Sequence, residues 1–528
     1  MKRSRLNNAT DLAHIKTVLA VIFLLSLVSC TTGAAQTPMA QTAVVTAATS
    51  EKQSATQPVI QTVNISAAPD LSARTQPVPQ SFLGISCEYN GIESYMSPQE
   101  GRQTATVELL NTLGAFNGPP VLRIGGNSED HSVWDLPQIN PKPKFARINI
   151  TPTMADDLHD TIQRTHSKVI LGVNLGADDP TIAESWVTEA LNIFEPDSIL
   201  AFEIGNEPDE YAKKEAMRSK PWDYPTYRAD YEKFAVLIAP LLPRQHMLAG
   251  PAATGFLVPF VARFALDEQK YLGVVTVHKY PMGAPVKNPK APNYASMENL
   301  LKDSSASGYA HIIAPVVAAA RKTHVLVRFG EMNSAWGGGK PGLSSSFGSA
   351  LWGLDTLFTI ANTGADGVNF HMGASYAPFT FDYHGTLFVH PLYYGMLLFA
   401  MAVQNHARLI PVTFKTEANV KIWAALDDSG VLRVVVINKD LTANAIISLS
   451  IPGAGGGQIT RLIAPSVNSQ YDVTLGNITF DGSTNGLPMR IHGASENQES
   501  VLPTNGRYEF NVGHTSAAML TVSLKQGS

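Results

Sequence analysis

Two glutamates stand where a carboxyl group can do chemistry. Glu207 lies in Phe202-Glu203-Ile204-Gly205-Asn206-Glu207-Pro208-Asp209, and Glu331 in Val327-Arg328-Phe329-Gly330-Glu331-Met332-Asn333-Ser334. Each follows a short apolar run with the character of a buried strand and precedes turn-forming residues. Cleavage of a glycosidic bond needs two carboxyl groups flanking one anomeric carbon, one protonated to assist the leaving oxygen and one ionised to attack or to activate water. A lone Glu at a strand end can simply cap the next helix, so the pair carries the argument. No His-Glu-x-x-His, cysteine pair or Asp-rich loop with calcium spacing occurs, so the expected chemistry uses no metal and no cofactor.

Eight β-branched or apolar runs, at 84–89, 121–125, 169–174, 199–205, 247–251, 274–278, 325–330 and 367–371, alternate with stretches of helical periodicity. Eight such units predict an α/β fold, a (β/α)8 TIM barrel over 79–400. Polar residues gather just past the run ends: Glu88, Asn127, Asn174, Asn206, Glu207, His278, Tyr280, Glu331 and His371. In a barrel of this kind that end is the active-site mouth. The fourth and seventh strands face each other across it, so their glutamates can approach to the roughly 5 Å of a retaining mechanism. An open doubly wound sheet is the competing fold, but no Gly-x-Gly-x-x-Gly turn follows the first strand. From 401 to 528 strands follow one another without helices, separated by turns such as Asp428-Ser429-Gly430, which predicts a C-terminal β-sandwich. A short alternating strand at 59–65, within 58–78, is expected to return and pair with that sandwich.

Three motifs in order, Arg123-Ile124-Gly125-Gly126-Asn127-Ser128, Gly205-Asn206-Glu207-Pro208-Asp209 and Gly330-Glu331-Met332-Asn333-Ser334-Ala335-Trp336-Gly337-Gly338-Gly339, resemble glycoside hydrolase family 79. That family, in the clan of retaining (β/α)8 glycosidases, contains β-glucuronidases and heparanase. The resemblance implies Glu207 as general acid/base, Glu331 as nucleophile, Asn206 as donor to the sugar 2-hydroxyl and Tyr280 as the group that orients Glu331. It further implies that Trp336, Gly337, Gly338 and Tyr376 receive the uronate, with Trp336 standing where the family usually has Tyr. The expected activity is that of a retaining exo-β-glucuronidase acting on a glucuronic-acid-containing glycan or glycoside. An endo-acting, heparanase-like enzyme would line its cleft with Lys and Arg, whereas here basic residues are scattered and Asp209 and Glu210 follow the motif. A non-catalytic surface glycan-binding lipoprotein would have no need of both carboxylates. Arg123 reads as an ion-pair partner at the barrel rim, His278 and His371 as possible core histidines, and Trp134 and Trp222 as possible sugar platforms.

The 528 residues carry 39 Lys and Arg against 44 Asp and Glu, a net charge of −5, with 44% hydrophobic and 16% charged residues. That composition describes a globular chain with a large core and offers no electrostatic footprint for nucleic acid. The N-terminus has Lys2, Arg3, Arg5 and Lys16 ahead of an apolar run ending in Leu27-Val28-Ser29-Cys30. This is a signal-peptide pattern over 1–29, too short to span a bilayer, and the tetrad resembles a bacterial lipobox. The resemblance implies lipidation of Cys30, with membrane contact through that anchor alone and a location at the outer membrane or cell surface, or else a periplasmic or secreted form. Residues 30–57, rich in Ala, Thr, Gln and Ser, read as a flexible tether.

Overall fold

The computed structural model describes residues 60–213, 216–373, 375–491 and 499–524. The expected signal segment at 1–29, the expected tether at 30–57 and the lipidation residue Cys30 lie outside the described residues. No described helix is long and apolar enough to cross a membrane.

After β1 (Gln61–Pro69), eight strands close into a barrel in chain order: β2 (Gly84–Glu88), β3 (Val121–Gly125), β4 (Val169–Val173), β5 (Ile199–Ile204), β6 (Leu248–Ala253), β7 (Leu272–Lys279), β8 (Leu326–Met332) and β9 (Gly367–His371). All neighbours run parallel. Val169–Val173 is buried at every position, as expected for a parallel strand covered on both faces. A principal helix follows each strand: α1 (Arg102–Asn117), α2 (Pro152–Thr165), α3 (Pro180–Ile193), α4 (Tyr224–Ile238), α5 (Val261–Asp267), α6 (Asp303–Ala320), α7 (Phe347–Ala361) and α8 (Pro391–Ala402). Their starts are written locally. Thr151 and Asp179 cap α2 and α3 ahead of Pro152 and Pro180, and Asp223 forms a capping box with Thr226 at α4.

The chain beyond the barrel forms two sheets. One has the order β11 (Val412–Phe414), β1, β14 (Ala443–Ser450), β16 (Arg507–Val512). The other is led by β10 (Arg408–Ile410), β12 (Val420–Leu426), β13 (Val431–Asn438), β17 (Ser516–Leu524) and β15 (Ala454–Ile463). Period-two alternation explains the layering. In β12, β13 and β17, Ile422, Val434 and Leu520 face the first sheet, while Ala425, Val435 and Met519 join the core shared with the barrel helices. A sheet apolar on both faces is thus filled from both sides. The strand expected at 59–65 runs instead from Gln61 to Pro69, and its place is inside the first sheet, between β11 and β14. Helix α8 ends at Ala402, just past the boundary expected at 400.

Candidate active site

Glu207 is delivered by a tight turn after β5. Gly205 has φ +80°, and a Cβ there would lie 2.7–2.8 Å from Leu175 and from the Tyr211 hydroxyl, so the position requires glycine. Glu207 itself is left-handed, φ 47° and ψ 52°, a conformation that costs a side-chain-bearing residue about 1–2 kcal/mol. The surroundings over-determine it. The Glu207 N–H donates to Ala252 O at 3.2 Å, Trp222 Nε1 donates to Pro208 O at 2.7 Å, and buried Asp209 accepts the N–H groups of Thr254, Gly255 and Leu257. Strain held this firmly is characteristic of functional positions.

Glu331 lies on β8, where the register against β7 slips between Phe329 and Glu331. Such a bulge re-aims the side chain that follows it. Glu331 Oε2 accepts from Arg123 Nη1 at 2.9 Å and Oε1 from the Tyr280 hydroxyl at 2.7 Å, while Glu207 Oε1 lies 3.2 Å from His278 Nδ1. Carboxylate oxygens of Glu207 and Glu331 and a ring nitrogen of His278 all lie within 4.8 Å of one another. This is the one group of converging potential metal ligands among the described residues, and its atoms are already engaged by Arg123, Tyr280 and each other.

Beneath the pair, side chains from opposite strands meet in the lumen. Arg123, fully buried, donates to Glu203 at 2.6 Å, Ser86 at 3.2 Å, Glu331 at 2.9 Å and Asn206 Oδ1 at 2.9 Å, and lies 3.5 Å from Glu129. Arg123 therefore occupies the barrel interior and not the rim position expected from sequence. Because guanidinium only donates, it takes the Asn206 oxygen and leaves the Nδ2 end free to donate. Within this dry network, burial and neighbouring Glu203 hold the Glu129 carboxyl well above the ordinary range, Arg123 offsetting them only in part. Burial would also push Glu331 up, but His371, His278 and Arg123, with the Tyr280 hydroxyl, reverse this and hold it well below the carboxylate range. His371 lies 3.6 Å from Glu331 and 3.7 Å from Glu88. Burial lowers its pKa, yet those two carboxylates more than compensate and raise it above the ordinary 6.5. Below this network Val121, Ile170, Ala201, Ala249 and Val274 form a separate apolar cluster near the starts of five consecutive strands.

The mouth opens into a cavity of about 960 Å³ whose lining includes Glu207, Glu331, Tyr280, Trp336, Gly337, Gly338 and Tyr376. Asn206 sits behind that lining, held by Arg123. Gly337 and Gly338 have φ of +82° and +83°, and neither N–H has a protein acceptor among the described residues. Trp336 is 44% exposed, with its indole over Gly283. Tyr376 stacks on Tyr280 at 6.0 Å. Glu88, His278 and His371 also line the cavity. Glu88 accepts the Asn127 and Ser128 N–H groups. His371 has only its place after a strand end to mark it, whereas His278 stands in His278-Lys279-Tyr280, which resembles the clan's His-x-Tyr. Trp134 and Trp222 serve packing: Trp134 stacks on Trp186, and Trp222 on Tyr211.

Residues 422–519 match the model of the glycosyl hydrolase family 79 C-terminal beta domain. A Neurospora crassa protein named beta-glucuronidase is 28% identical over 355 residues, covering 60% of this chain and 61% of that protein. An Aspergillus niger protein of the same name is 25% identical over 505 residues, covering 84% and 91%. Among solved structures, a 4-O-alpha-L-rhamnosyl-beta-D-glucuronidase from Fusarium oxysporum superposes with a TM-score of 0.70 at 19% identity, over 87% of this chain and 100% of that one. A family 51 arabinofuranosidase from Xanthomonas axonopodis pv. citri gives 0.64 at 15%, over 87% and 100%. These superpositions concern the fold. The chain is thus similar to glycoside hydrolase family 79 through that family's own C-terminal domain, and its alignment runs along most of the Aspergillus protein.

Proposed function

We propose that the chain is a retaining β-glucuronidase that removes terminal β-linked glucuronic acid. The observation that carries this reading is the approach of Glu207 and Glu331 to within 4.8 Å, near the separation of about 5–5.5 Å between carboxyl groups in retaining glycosidases. Glu331, ionised and held by Arg123 and Tyr280, attacks the anomeric carbon. Glu207 protonates the leaving oxygen and then activates the water that releases the sugar. Asn206 Nδ2 donates to the 2-hydroxyl, and the amides of Gly337 and Gly338 with the Tyr376 hydroxyl receive the uronate. The names of the fungal relatives support the choice of glucuronide.

An aryl β-glucuronide tests it. The first product seen by NMR is the β-anomer, a fluorinated glucuronide labels Glu331, and Glu207→Ala retains activity on good leaving groups with azide rescue. An α-anomeric first product or a label elsewhere overturns the assignment, and internal cleavage of a uronic-acid polysaccharide replaces exo with endo action. We also propose anchoring through a lipidated Cys30. Palmitate label and detergent partitioning, both lost in Cys30→Ser, support it, and identical behaviour of the two proteins refutes it.

A further inference from the structure

The cavity is lined by four acidic residues, Glu88, Glu207, Glu210 and Glu331. Most cations near them are already engaged. Arg123 is shared among Glu203, Glu331 and Glu129, Lys213 pairs with Glu210 at 3.0 Å, and His371 lies between Glu88 and Glu331. Lys279 differs. It lines the same cavity and is half-buried, yet its ammonium has no hydrogen bond or ion pair among the described residues. Burial lowers its pKa, and no carboxylate opposes that. A half-buried cation that lines the cavity with no protein partner is open to an anion that arrives from outside.

The backbone fixes where that charge stands. Lys279 closes β7 in register with Met332, the residue after Glu331, and its carbonyl accepts from the Tyr309 hydroxyl at 3.0 Å. Its neighbours His278 and Tyr280 contact Glu207 and Glu331, whereas Lys279 contacts neither. The chain after Lys279 then runs beside the segment leading to the free amides: Met282 and Gly283 pair in parallel with Ala335 and Trp336, immediately before Gly337. The lining of one cavity thus combines a cation without a protein partner and two N–H groups without a protein acceptor, among residues otherwise dominated by carboxylates. At about 960 Å³ the cavity is at the top of the roughly 300–1,000 Å³ range of small-molecule sites, with room beyond the sugar being cleaved.

We infer that Lys279 is a specificity-determining residue that binds a carboxylate of the substrate. That carboxylate belongs either to the glucuronic acid being cleaved or to an acidic group on the aglycone, and the chemistry at the ammonium is the same. The inference rests on the glucuronidase reading.

The test compares wild type with Lys279→Met and Lys279→Arg on three substrates: an aryl β-glucuronide with an uncharged aglycone, one whose aglycone carries a carboxylate, and the uncharged aryl β-glucoside. Lys279→Met lowers kcat/KM about 10-fold or more, mainly through KM, as expected for a lost hydrogen bond to a charged group. Lys279→Arg recovers part of it, and glucoside turnover is unchanged. A loss on both glucuronides identifies the cleaved uronate, and a loss on the carboxylated aglycone alone identifies the aglycone. No loss on either, or an equal loss on all three, overturns the inference. Wild type that hydrolyses the glucoside and neither glucuronide refutes the glucuronidase reading instead, whatever Lys279→Met does.

Discussion

Arg123 and Tyr280 donate to different oxygens of Glu331, so each removes part of the tendency of a buried carboxylate to take up a proton. The sign of the pH effect follows. A folded-state pKa below the ordinary 4.5 keeps Glu331 ionised as pH falls through 4.5, and the associated stability is complete above that value and lost only as pH drops through the depressed one. Tyr280→Phe removes one donor, and we expect the acidic limb of kcat/KM to move to higher pH with a smaller change at neutrality. An unmoved limb would mean that Tyr280 acts only through position. The pair Glu207 and Glu331 was legible in sequence because each sits in a local motif. The lumen network was not, because Arg123 and Glu331 are 208 positions apart and only barrel closure brings them together. The place of His371 past a strand end was legible, but its partners Glu88 and Glu331 were not, for the same reason: they come from other strands.

At the scale of elements, the turn after β5 converts strand direction into the placement of Glu207. Gly205→Ala would put a Cβ against Leu175 and Tyr211 in a left-handed conformation, costing about 1 kcal/mol or more in backbone terms before the clash is counted. We expect kcat to fall by more than the change in stability accounts for, because a small displacement of an acid/base group is costly to rate. Thermal unfolding and kcat measured on the same sample separate the two effects, and a loss of kcat no greater than the loss of folded protein would count against it. The strand–helix alternation behind this turn was readable because buried parallel strands are continuous apolar runs and the stretches between them keep helical periodicity. The bulge at Gly330 was not, since it is defined by the partner strand and not by its own residues.

At the scale of the whole molecule, barrel and sandwich share a buried polar joint. Asp355 on α7 accepts from Trp423 Nε1 at 3.1 Å and pairs with Lys439 at 2.7 Å, with Trp423 stacked on Phe358 at 5.6 Å. Removing one partner of a buried ion pair leaves the other charge uncompensated, so Asp355→Ala should destabilise by about 3–5 kcal/mol, and Asp355→Leu combined with Lys439→Met by less. Denaturant unfolding checks this, and equal losses in the two variants would show that the charge pair itself is not what matters. A single cooperative transition is expected, since one apolar core runs through both parts.

The placement of β1 has a consequence for the order in which the protein can be made. Its sheet neighbours, Val412–Phe414 and Ala443–Ser450, are encoded after the last barrel strand, Gly367–His371. During synthesis from the N-terminus, the barrel can therefore be complete while β1 still has both edges bare, open to pairing with another chain. The nascent protein must carry that exposed strand past the whole of the barrel before its partners emerge, which makes β1 the segment for which a chaperone has most use.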